Sequence, residues 1–446
     1  MRSKTPSSEP LAPASLAVSL IGAAVALTCS AGSVAPAPAP RSSAPPSAPP
    51  AGSATPPISA APSSAPPPPA SDAGVPAGKL LQLPRFYAAL AALERGERKA
   101  HVRIAWLGDS HTAADYWTHA LRRPLQERFG NGGPGFVQLG VEPYRHALVK
   151  VGREGKWRRE PGSPAGSMKQ LDGVFGLGGM RAVPESADAR ASVELMPKAA
   201  DGRTRFSLVY RAKPSDRLRI SIRGSADAAS AGHASGRLVG ALRHHDIEAD
   251  APATFDLGVS AGAPEVFGAF VESVKPGLVL DTLGINGARA ATPLAWNEGE
   301  WRAALAARDP ALVVLAYGTN EAASTLDGAR YQKALEELSQ RARAAAPNAD
   351  CLVVGPPDMA TVTGESAPRA VEFDGLAEAT AARAGCAYFS AFFGMGGEGS
   401  FARWAKEKPP LAAPDRVHLA PSGYERIGKL LAERVLSALP PSAGSP

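Results

Sequence analysis

The sequence places a serine and a histidine in contexts that suit nucleophilic catalysis. Gly108-Asp109-Ser110-His111 follows a short apolar segment, and Asp415-Arg416-Val417-His418 precedes the last helical segment. A serine hydroxyl needs a base to become a nucleophile, histidine is the usual base, and a carboxylate fixes the histidine tautomer. Ser110, His418 and Asp415 could therefore transfer an acyl group, although a Gly-Asp-Ser turn or a lone histidine is commonly structural.

Two further segments carry groups that could stabilise the negative charge of an acyl-transfer intermediate. They are Gly318-Thr319-Asn320-Glu321 and Gly284-Ile285-Asn286-Gly287-Ala288, and each follows an apolar run. The Asn320 side chain is a hydrogen-bond donor, and Gly287 lacks a Cβ, so its amide can approach a ligand closely. The Ser110 amide, at a predicted helix N-terminus, is a third donor. Each segment taken alone is also consistent with a simple turn.

Strands and helices alternate around these segments. Apolar runs predict strands at 102–107, 277–283, 311–317, 351–355 and 386–389. Helical spacing predicts helices at 80–94, 112–129, 296–307, 329–346, 371–384 and 421–439. Near-continuous apolar runs are typical of a buried parallel sheet. The sequence therefore predicts an α/β fold, a three-layer α/β/α domain with a parallel five-stranded sheet, and the polar segments follow its strand ends.

Residues 136–275 have a different pattern. Glycine is frequent there, and short alternating segments are separated by turn residues. This pattern predicts an antiparallel, β-sandwich-like insert between the first and second strands of the α/β domain. Aromatic side chains in the insert could stack on sugar rings, but core packing is the preferred interpretation for most of them. Trp157, which has basic neighbours, is predicted to be a substrate-binding platform at the surface.

The four polar segments, in this order, resemble the conserved blocks of the SGNH hydrolases, the GDSL-type esterases. The resemblance implies a flavodoxin-like SGNH hydrolase domain formed by residues 79–135 and 276–446 and interrupted by the insert. It also implies a role for each member of the candidate triad. Ser110 would be the nucleophile, His418 the base, and Asp415 the carboxylate that orients His418.

The same resemblance implies an oxyanion hole and no cofactor or metal. The oxyanion hole would be formed by the amides of Ser110 and Gly287 and by the side chain of Asn320. The chain departs from the family pattern at two positions: His111 stands where Leu is common, and Glu321 stands where Asp is common. Neither position supplies a core catalytic atom, so the assignment of the site does not depend on them.

A subgroup of these hydrolases is also similar in its segment spacing and its insert. Gly-Asp-Ser-His-Thr, Gly-Asn-Gly-Gly-Pro-Gly-Phe after the first helix, and the β-rich insert resemble a subgroup that includes bacterial peptidoglycan O-acetylesterases. This implies hydrolysis of small acyl esters, O-acetyl above all, on an envelope or extracellular polysaccharide, with a carbohydrate-binding role for the insert. The alternatives are a GDSL-type lipase or lysophospholipase, an acyltransferase, and a non-catalytic glycan-binding protein that kept the fold.

The first 29 residues predict a signal peptide. Arg2 and Lys4 precede an apolar segment that is too short to span a bilayer. Cys29 ends a segment that resembles a bacterial lipoprotein box and is a candidate lipidation site, with simple signal cleavage as the alternative. Residues 30–78 are rich in Pro, Ala and Ser and predict a disordered linker. We therefore expect a periplasmic, outer-membrane-anchored or secreted protein, with membrane contact only through an N-terminal lipid.

Composition excludes several other classes of protein. The net charge of +6 comes from 48 basic and 42 acidic residues that are scattered along the chain, which argues against nucleic-acid binding. Three cysteines without a C-x-x-C pair exclude a disulfide scaffold and argue against a cysteine-ligated metal site. Cys351 and Cys386 open two strands that are predicted to be neighbours. They could form a disulfide in an oxidising compartment, or remain two buried free thiols.

Overall fold

The structure is a computed structural model that describes residues 80–162, 171–224, 230–231 and 236–439. The predicted signal peptide, Cys29 and the predicted linker lie outside the described residues. The helices are α1 Pro84–Glu94, α2 Ser110–Ala113, α3 Trp117–Phe129, α4 Glu298–Arg308, α5 Thr319–Ala322, α6 Gly328–Ala345, α7 Pro368–Ala384, α8 Ala391–Gly394, α9 Ser400–Lys406 and α10 Pro421–Ser437. Within the described part of the chain, no helix is both long enough and apolar enough to cross a bilayer.

The strands fall into one parallel group and two antiparallel groups. The parallel strands are β1 Val102–Gly108, β14 Leu278–Gly284, β15 Leu312–Ala316, β16 Asp350–Gly355 and β17 Ala387–Ser390. The others are β2 Gly135–Val137, β3 Val149–Glu154, β4 Trp157–Glu160, β5 Arg181–Pro184, β6 Arg190–Leu195, β7 Arg203–Arg211, β8 Arg217–Arg223, β9 Ser230–Ala231, β10 Arg237–Val239, β11 Leu242–Asp250, β12 Thr254–Ala261 and β13 Glu265–Ser273.

The parallel sheet has the strand order β14-β1-β15-β16-β17. The first strand in the chain, β1, therefore lies between the second and the third. This is the 2-1-3-4-5 order of flavodoxin-like sheets, in which ligands bind beyond the carboxyl ends of the strands. The predicted fold class is confirmed.

Alternate side chains of the parallel strands enter two different apolar cores. In β1, Ile104 and Trp106 face the core shared with α1, α3 and α10, whereas Ala105 and Leu107 face the core shared with α4, α6 and α7. This alternation follows from the two-residue period of a strand. Because both faces are covered, the strands can be apolar throughout, as the sequence pattern predicts.

The chain between β1 and β14 forms two antiparallel sheets that pack face to face. One has the order β10-β11-β7-β13-β5-β4, with β2 also paired with β13, and the other has the order β3-β6-β12-β8-β9. Buried aromatic side chains such as Phe206 and Phe255 stack between the two sheets, with ring centroids 4.8 Å apart. The aromatic residues at these positions therefore serve as core, as expected for most of the insert.

Strand β13 is buried on both of its faces. Val266, Ala269 and Val271 enter the core between the two antiparallel sheets. Phe267 and Phe270 of the same strand enter the core that is shared with α4, α6 and α7. The strand therefore joins the apolar interior of the β-rich segment to that of the α/β segment.

Buried charges also join these two parts of the fold. The Arg308 guanidinium at the end of α4 donates to Asp281 of β14 at 2.8 Å and lies 2.7 Å from Glu272 of β13. All three side chains are almost fully buried. Such a network tolerates burial only because each charge has a partner of opposite sign, so the contact fixes how β13 sits against β14.

The helix predicted over 112–129 is interrupted in the structure. A short break separates α2 from α3, and Asp115 lies in it with φ of +53°. The buried Asp115 carboxylate accepts hydrogen bonds from Arg122 at 2.8 Å and from Thr282 at 2.7 Å. It also accepts from the amide of Ala147 at 2.9 Å. The break therefore results from a buried charge that joins α3, β14 and the segment before β3.

The prediction that Trp157 forms a surface platform is wrong. Its side chain is only 7% exposed and packs in the core between the antiparallel sheets. The indole Nε1 donates to the carbonyl oxygen of Glu154 at 3.0 Å. Because side chains alternate along β4, Trp157 points inward while the neighbouring Arg158 points to solvent. The free energy gained by burying the large indole surface explains why Trp157 lies in the core although its neighbours in sequence are basic.

The two cysteines of the α/β sheet form a disulfide. Cys351 lies in β16, Cys386 directly precedes β17, and their sulfur atoms are bonded across these neighbouring strands. The two buried free thiols of the alternative interpretation are therefore not what the structure contains.

Candidate active site

A continuous chain of hydrogen bonds joins the serine, the histidine and the aspartate selected from the sequence. His418 Nδ1 lies 2.7 Å from Asp415 Oδ2, and His418 Nε2 lies 2.8 Å from Ser110 Oγ. With the Nδ1 proton donated to the carboxylate, Nε2 is left to accept from the serine hydroxyl. This is the arrangement in which an imidazole can remove the hydroxyl proton as the oxygen attacks.

The loop before α10 holds the aspartate and the histidine in place. Asp415 Oδ1 accepts from the amides of Val417 at 3.0 Å and His418 at 2.8 Å. The turn between them places Arg416 at φ of +66°. Partial burial of Asp415 raises its pKa, but these amide hydrogen bonds and the contact with His418 outweigh it, so the pKa is lowered overall. The carboxylate therefore stays ionised beside the imidazole.

Two glycines allow the serine-bearing helix to approach the sheet closely. A Cβ on Gly108 would lie 2.2 Å from Thr112 Oγ1, and a Cβ on Gly284 would lie 2.3 Å from the amide nitrogen of Ala113. Any larger residue at either position would push α2 away from β1 and β14. Ser110 is the first residue of α2, and the amides of a helix's first turn have no partner within the helix. The Ser110 amide is thus available to an incoming oxyanion.

The loop after β14 lies beside this helix. The amide of Ile285 donates to the carbonyl of Gly108 at 3.0 Å, which holds the start of the loop against the end of β1. Two residues later, Gly287 is exposed and has φ of +78°, a conformation that favours glycine. A Cβ at Gly287 would meet nothing within 4 Å, so the backbone conformation and not crowding explains this glycine.

Asn320 is half-buried in the first turn of α5, the short helix that follows β15. Its Nδ2 donates to the carbonyl of Ala288 at 2.9 Å. An amide NH₂ group has two hydrogens, so one remains for a ligand after this contact. The structure therefore brings Asn320 to the loop that carries Gly287, and both lie at the carboxyl edge of the sheet together with Ser110.

Two buried carboxyl groups lie behind this edge. Glu321 Oε1 accepts from the amide of Ala290 at 2.7 Å, and Glu321 Oε2 is buried without a hydrogen-bond partner among the described residues. Asp109 caps α2 by accepting from the amide of His111 at 3.0 Å. Burial raises the pKa of Glu321, and burial raises the pKa of Asp109 to about 7 despite its hydrogen bonds. Both groups support the loops that carry the candidate donors.

His111 packs against the candidate catalytic histidine. The His111 and His418 rings lie 5.1 Å apart between centroids, and His111 Nδ1 shares a hydrogen bond of 2.8 Å with the Tyr424 hydroxyl. Burial, and then the neighbouring His418, lower the pKa of His111 to about 3. His111 is therefore a neutral packing partner of His418 and connects it to α10.

Several supporting residues were not recognised from the sequence. Glu321 and His111 were noted only as departures from the family pattern, and Asp115 was assigned to the interior of a helix. The sequence does carry one signal for them: each is a polar residue inside or beside a segment of chemical interest. Their partners are distant in sequence, however, so only the fold shows what they contact.

Within the residues that the structure describes, no cluster of three or more His, Cys, Asp or Glu side chains could hold a metal ion. The candidate site consists of a hydroxyl, an imidazole, a carboxylate and several amide donors. Such a set can carry out acyl transfer through a covalent intermediate.

One part of the chain matches a known protein family. Residues 254–426 match the GDSL-like Lipase/Acylhydrolase family, a range that includes Asp415 and His418 and begins after Ser110. No curated protein sequence matches the chain at a significant level.

Solved structures resemble the chain to different degrees. A structure described as a peptidoglycan O-acetylesterase is 26% identical, covers 79% of this chain and 95% of that chain, and has a TM-score of 0.65. A lipase/acylhydrolase from Enterococcus faecalis is 17% identical, covers 38% of this chain and 80% of that chain, and has a TM-score of 0.29. The chain therefore contains a GDSL-like lipase/acylhydrolase domain with the SGNH α/β fold and is a carboxylic ester hydrolase.

Proposed function

We propose that the chain is an exported serine esterase that removes small acyl groups, acetate above all, from an envelope or extracellular polysaccharide. The observation that carries the proposal is the hydrogen-bond chain from Ser110 through His418 to Asp415. Similarity to the structure described as a peptidoglycan O-acetylesterase supports an acetylated glycan as the substrate. The disulfide between Cys351 and Cys386 supports export, because disulfides persist in oxidising compartments.

In the first half of the proposed reaction, the enzyme is acylated. Ser110 Oγ attacks the ester carbonyl carbon while its proton moves to His418 Nε2. The amides of Ser110 and Gly287 and the side chain of Asn320 stabilise the resulting oxyanion. The carbon–oxygen bond to the sugar then breaks, and His418 returns the proton to the leaving sugar oxygen. Asp415 keeps the imidazole in the required tautomer and stabilises its charged form.

In the second half, water removes the acyl group. His418 takes a proton from a water molecule as the water oxygen attacks the acyl carbon. The second tetrahedral intermediate collapses, the bond to Ser110 Oγ breaks, and the serine regains its proton from His418. The products are a carboxylic acid and the free enzyme. A water-accessible site is needed for this step, and an acyltransferase would instead present a second alcohol.

The proposed function is tested by acetate release from O-acetylated peptidoglycan and O-acetylated xylan, measured side by side. The Ser110→Ala variant is the matched negative control, and p-nitrophenyl esters of increasing chain length form a second series. Release of free acetate with a preference for acetyl over longer esters is expected. A preference for long acyl chains would instead favour a lipase, and acetate recovered only on an added alcohol would favour an acyltransferase.

The proposed location depends on the N-terminal segment and needs a separate test. We propose that residues 1–29 direct export and that Cys29 carries the lipid. Cell fractionation combined with mass spectrometry of the mature N-terminus measures both. A mature chain that begins at an unmodified residue near Cys29 would leave export intact and reject lipidation.

A further inference from the structure

The loop that carries Gly287 also borders an open cleft of about 450 Å³. Arg289 lines the cleft from this loop, and the opposite wall comes from the end of α5 and the start of α6. The residues of that wall are Ser324, Thr325, Leu326, Asp327 and Arg330. The cleft is therefore built from the two segments that also supply the candidate oxyanion donors Gly287 and Asn320.

Chain connectivity places this cleft close to the reacting ester. Consecutive Cα atoms are about 3.8 Å apart, so the Cα atoms of Gly287 and Arg289 are no more than about 7.6 Å apart. The loop is fixed and not free to swing, because Asn320 holds the carbonyl of Ala288 and Glu321 holds the amide of Ala290 on either side of Arg289. The wall that carries Arg289 therefore starts close to the backbone expected to contact the acetyl carbonyl, and we expect the ring substituents of the sugar to lie toward the cleft.

Two guanidinium groups dominate the charge of the cleft. Arg289 is half-buried and Arg330 is exposed. The structure gives neither guanidinium a hydrogen bond or an ion pair with any residue it describes. The acidic residue of the lining is Asp327, and its carboxylate caps α6 by accepting from the amide of Ala329 at 3.3 Å. Among the lining residues, one negative charge therefore faces two positive charges. Behind the lining, the Arg289 charge also acts on the buried Glu321 and lowers its pKa, although burial raises that pKa overall.

The Ser324 hydroxyl, which also lines the cleft, is already engaged. Ser324 Oγ donates to the carbonyl of Glu321 at 2.8 Å and accepts from the amide of Leu326. Guanidinium groups match planar carboxylates, to which they can donate two parallel hydrogen bonds. The two arginines are thus the cationic donors of this lining, and a carboxylate is a ligand that suits their geometry.

We propose that this cleft binds a carboxylate carried by the ester substrate, so that Arg289 and Arg330 direct the enzyme to acetyl esters on acidic sugars or on sugars that carry an acidic substituent. The inference rests on the proposed function, because it names the substrate class of the same site. It assigns the two arginines to substrate selection and not to the chemical step.

A matched pair of substrates tests the proposal. Methyl 3-O-acetyl-glucuronide and methyl 3-O-acetyl-glucoside differ only in a carboxylate in place of a hydroxymethyl group. The measured quantity is the ratio of their kcat/KM values, in which any change common to both substrates cancels. We expect the full-length protein to prefer the acidic ester by about 10- to 100-fold, the scale of charge-assisted hydrogen bonds to one carboxylate.

The variants Arg289→Gln, Arg330→Gln and their combination should reduce this ratio, and the combination should bring it close to one. Arg302→Gln, at an exposed position on α4, is the matched control and should keep the wild-type ratio. A wild-type ratio near one, or a preference that survives in the double variant, would overturn the proposal. If the wild-type protein does not hydrolyse p-nitrophenyl acetate at all, the proposed function itself is rejected. The two failures are therefore distinguishable.

Discussion

Asn320 and Glu321 are consecutive residues that hold neighbouring positions of one loop. Asn320 donates to the carbonyl of Ala288 at 2.9 Å, and Glu321 accepts from the amide of Ala290 at 2.7 Å. The residue expected to stabilise the oxyanion thus also fixes the loop that carries a second expected donor, Gly287. The buried Glu321 holds the same loop through the amide of Ala290. The candidate oxyanion hole is therefore a jointly supported structure, and its members should not act independently when they are mutated.

Loss of either member of the nucleophile–base pair should abolish most of the activity. Ser110→Ala and His418→Ala should each lower kcat by about a thousandfold or more, because each group is ineffective without the other. Ser437→Ala, at an exposed serine near the end of α10, is the matched control. Hydrolysis of p-nitrophenyl acetate by variants with unchanged circular dichroism provides the measurement. Near-normal turnover in folded Ser110→Ala would reject the proposed nucleophile.

Removal of the Asn320 side chain should lower kcat by about 10²–10³-fold, the usual effect of one lost oxyanion donor. The effect should appear in kcat more than in KM, because the charge develops only in the transition state. Asn348→Ala, at an exposed position between α6 and β16, should have no such effect. Equal kinetics in Asn320→Ala and wild type would reject a role for this side chain in oxyanion stabilisation.

Glu321 should act through its contact with the loop and not through its charge. Glu321→Gln keeps an oxygen that can accept from the Ala290 amide, whereas Glu321→Leu removes the acceptor and leaves that amide unpaired. We expect the Leu variant to lose at least about tenfold more kcat than the Gln variant, on the scale of one unsatisfied buried group. Equal losses in the two variants would instead indicate that the negative charge matters.

Asp109 should make stability depend on pH in a recognisable way. Burial raises the pKa of Asp109 to about 7 in the folded state, above the ordinary value of 3.8 expected in the unfolded chain. The folded state therefore binds more protons between these values, and the contribution of Asp109 to stability falls as the pH rises from about 4 to about 7. Above that range its contribution levels off.

The test compares wild type with Asp109→Asn, which does not titrate but can still accept from the His111 amide. Urea unfolding at pH 4.5 and pH 7.5 should show the wild type losing stability relative to the variant, by an amount on the order of a few kcal/mol. A difference between the two proteins that stays constant over this pH range would mean that Asp109 is ionised throughout.

The Cys351–Cys386 disulfide should contribute measurably to stability. It closes a loop with a sequence separation of 35 residues, for which chain-entropy arguments give about 3–4 kcal/mol. Urea unfolding with and without dithiothreitol should show a loss of this order on reduction. The double variant Cys351→Ala and Cys386→Ala should be insensitive to the reductant. Equal free energies of unfolding for oxidised and reduced wild type would show that the disulfide does not contribute to stability.

Features with a strong local pattern could be predicted from the sequence. The apolar runs identify the parallel strands, and the polar segments that follow them include Ser110 and Asn320. Features that depend on distant partners could not be predicted. The break at Asp115 requires Thr282 and Ala147, which are far away in the chain. The orientation of Trp157 depends on how a four-residue strand faces the core, and its basic neighbours do not reveal this.

Because β13 is buried on both faces, the β-rich segment cannot be exchanged as an independent unit when this protein is re-engineered. One strand contributes side chains to both interiors, so the β-rich segment is not a cassette that could be excised or exchanged by cutting at its two ends. Removing the segment would take away Phe267 and Phe270, expose the apolar α/β side chains that they cover, and leave Arg308 without Glu272. A chimaera with a different insert would need a replacement for β13 itself, so changes in substrate range are more accessible through loops such as 285–290.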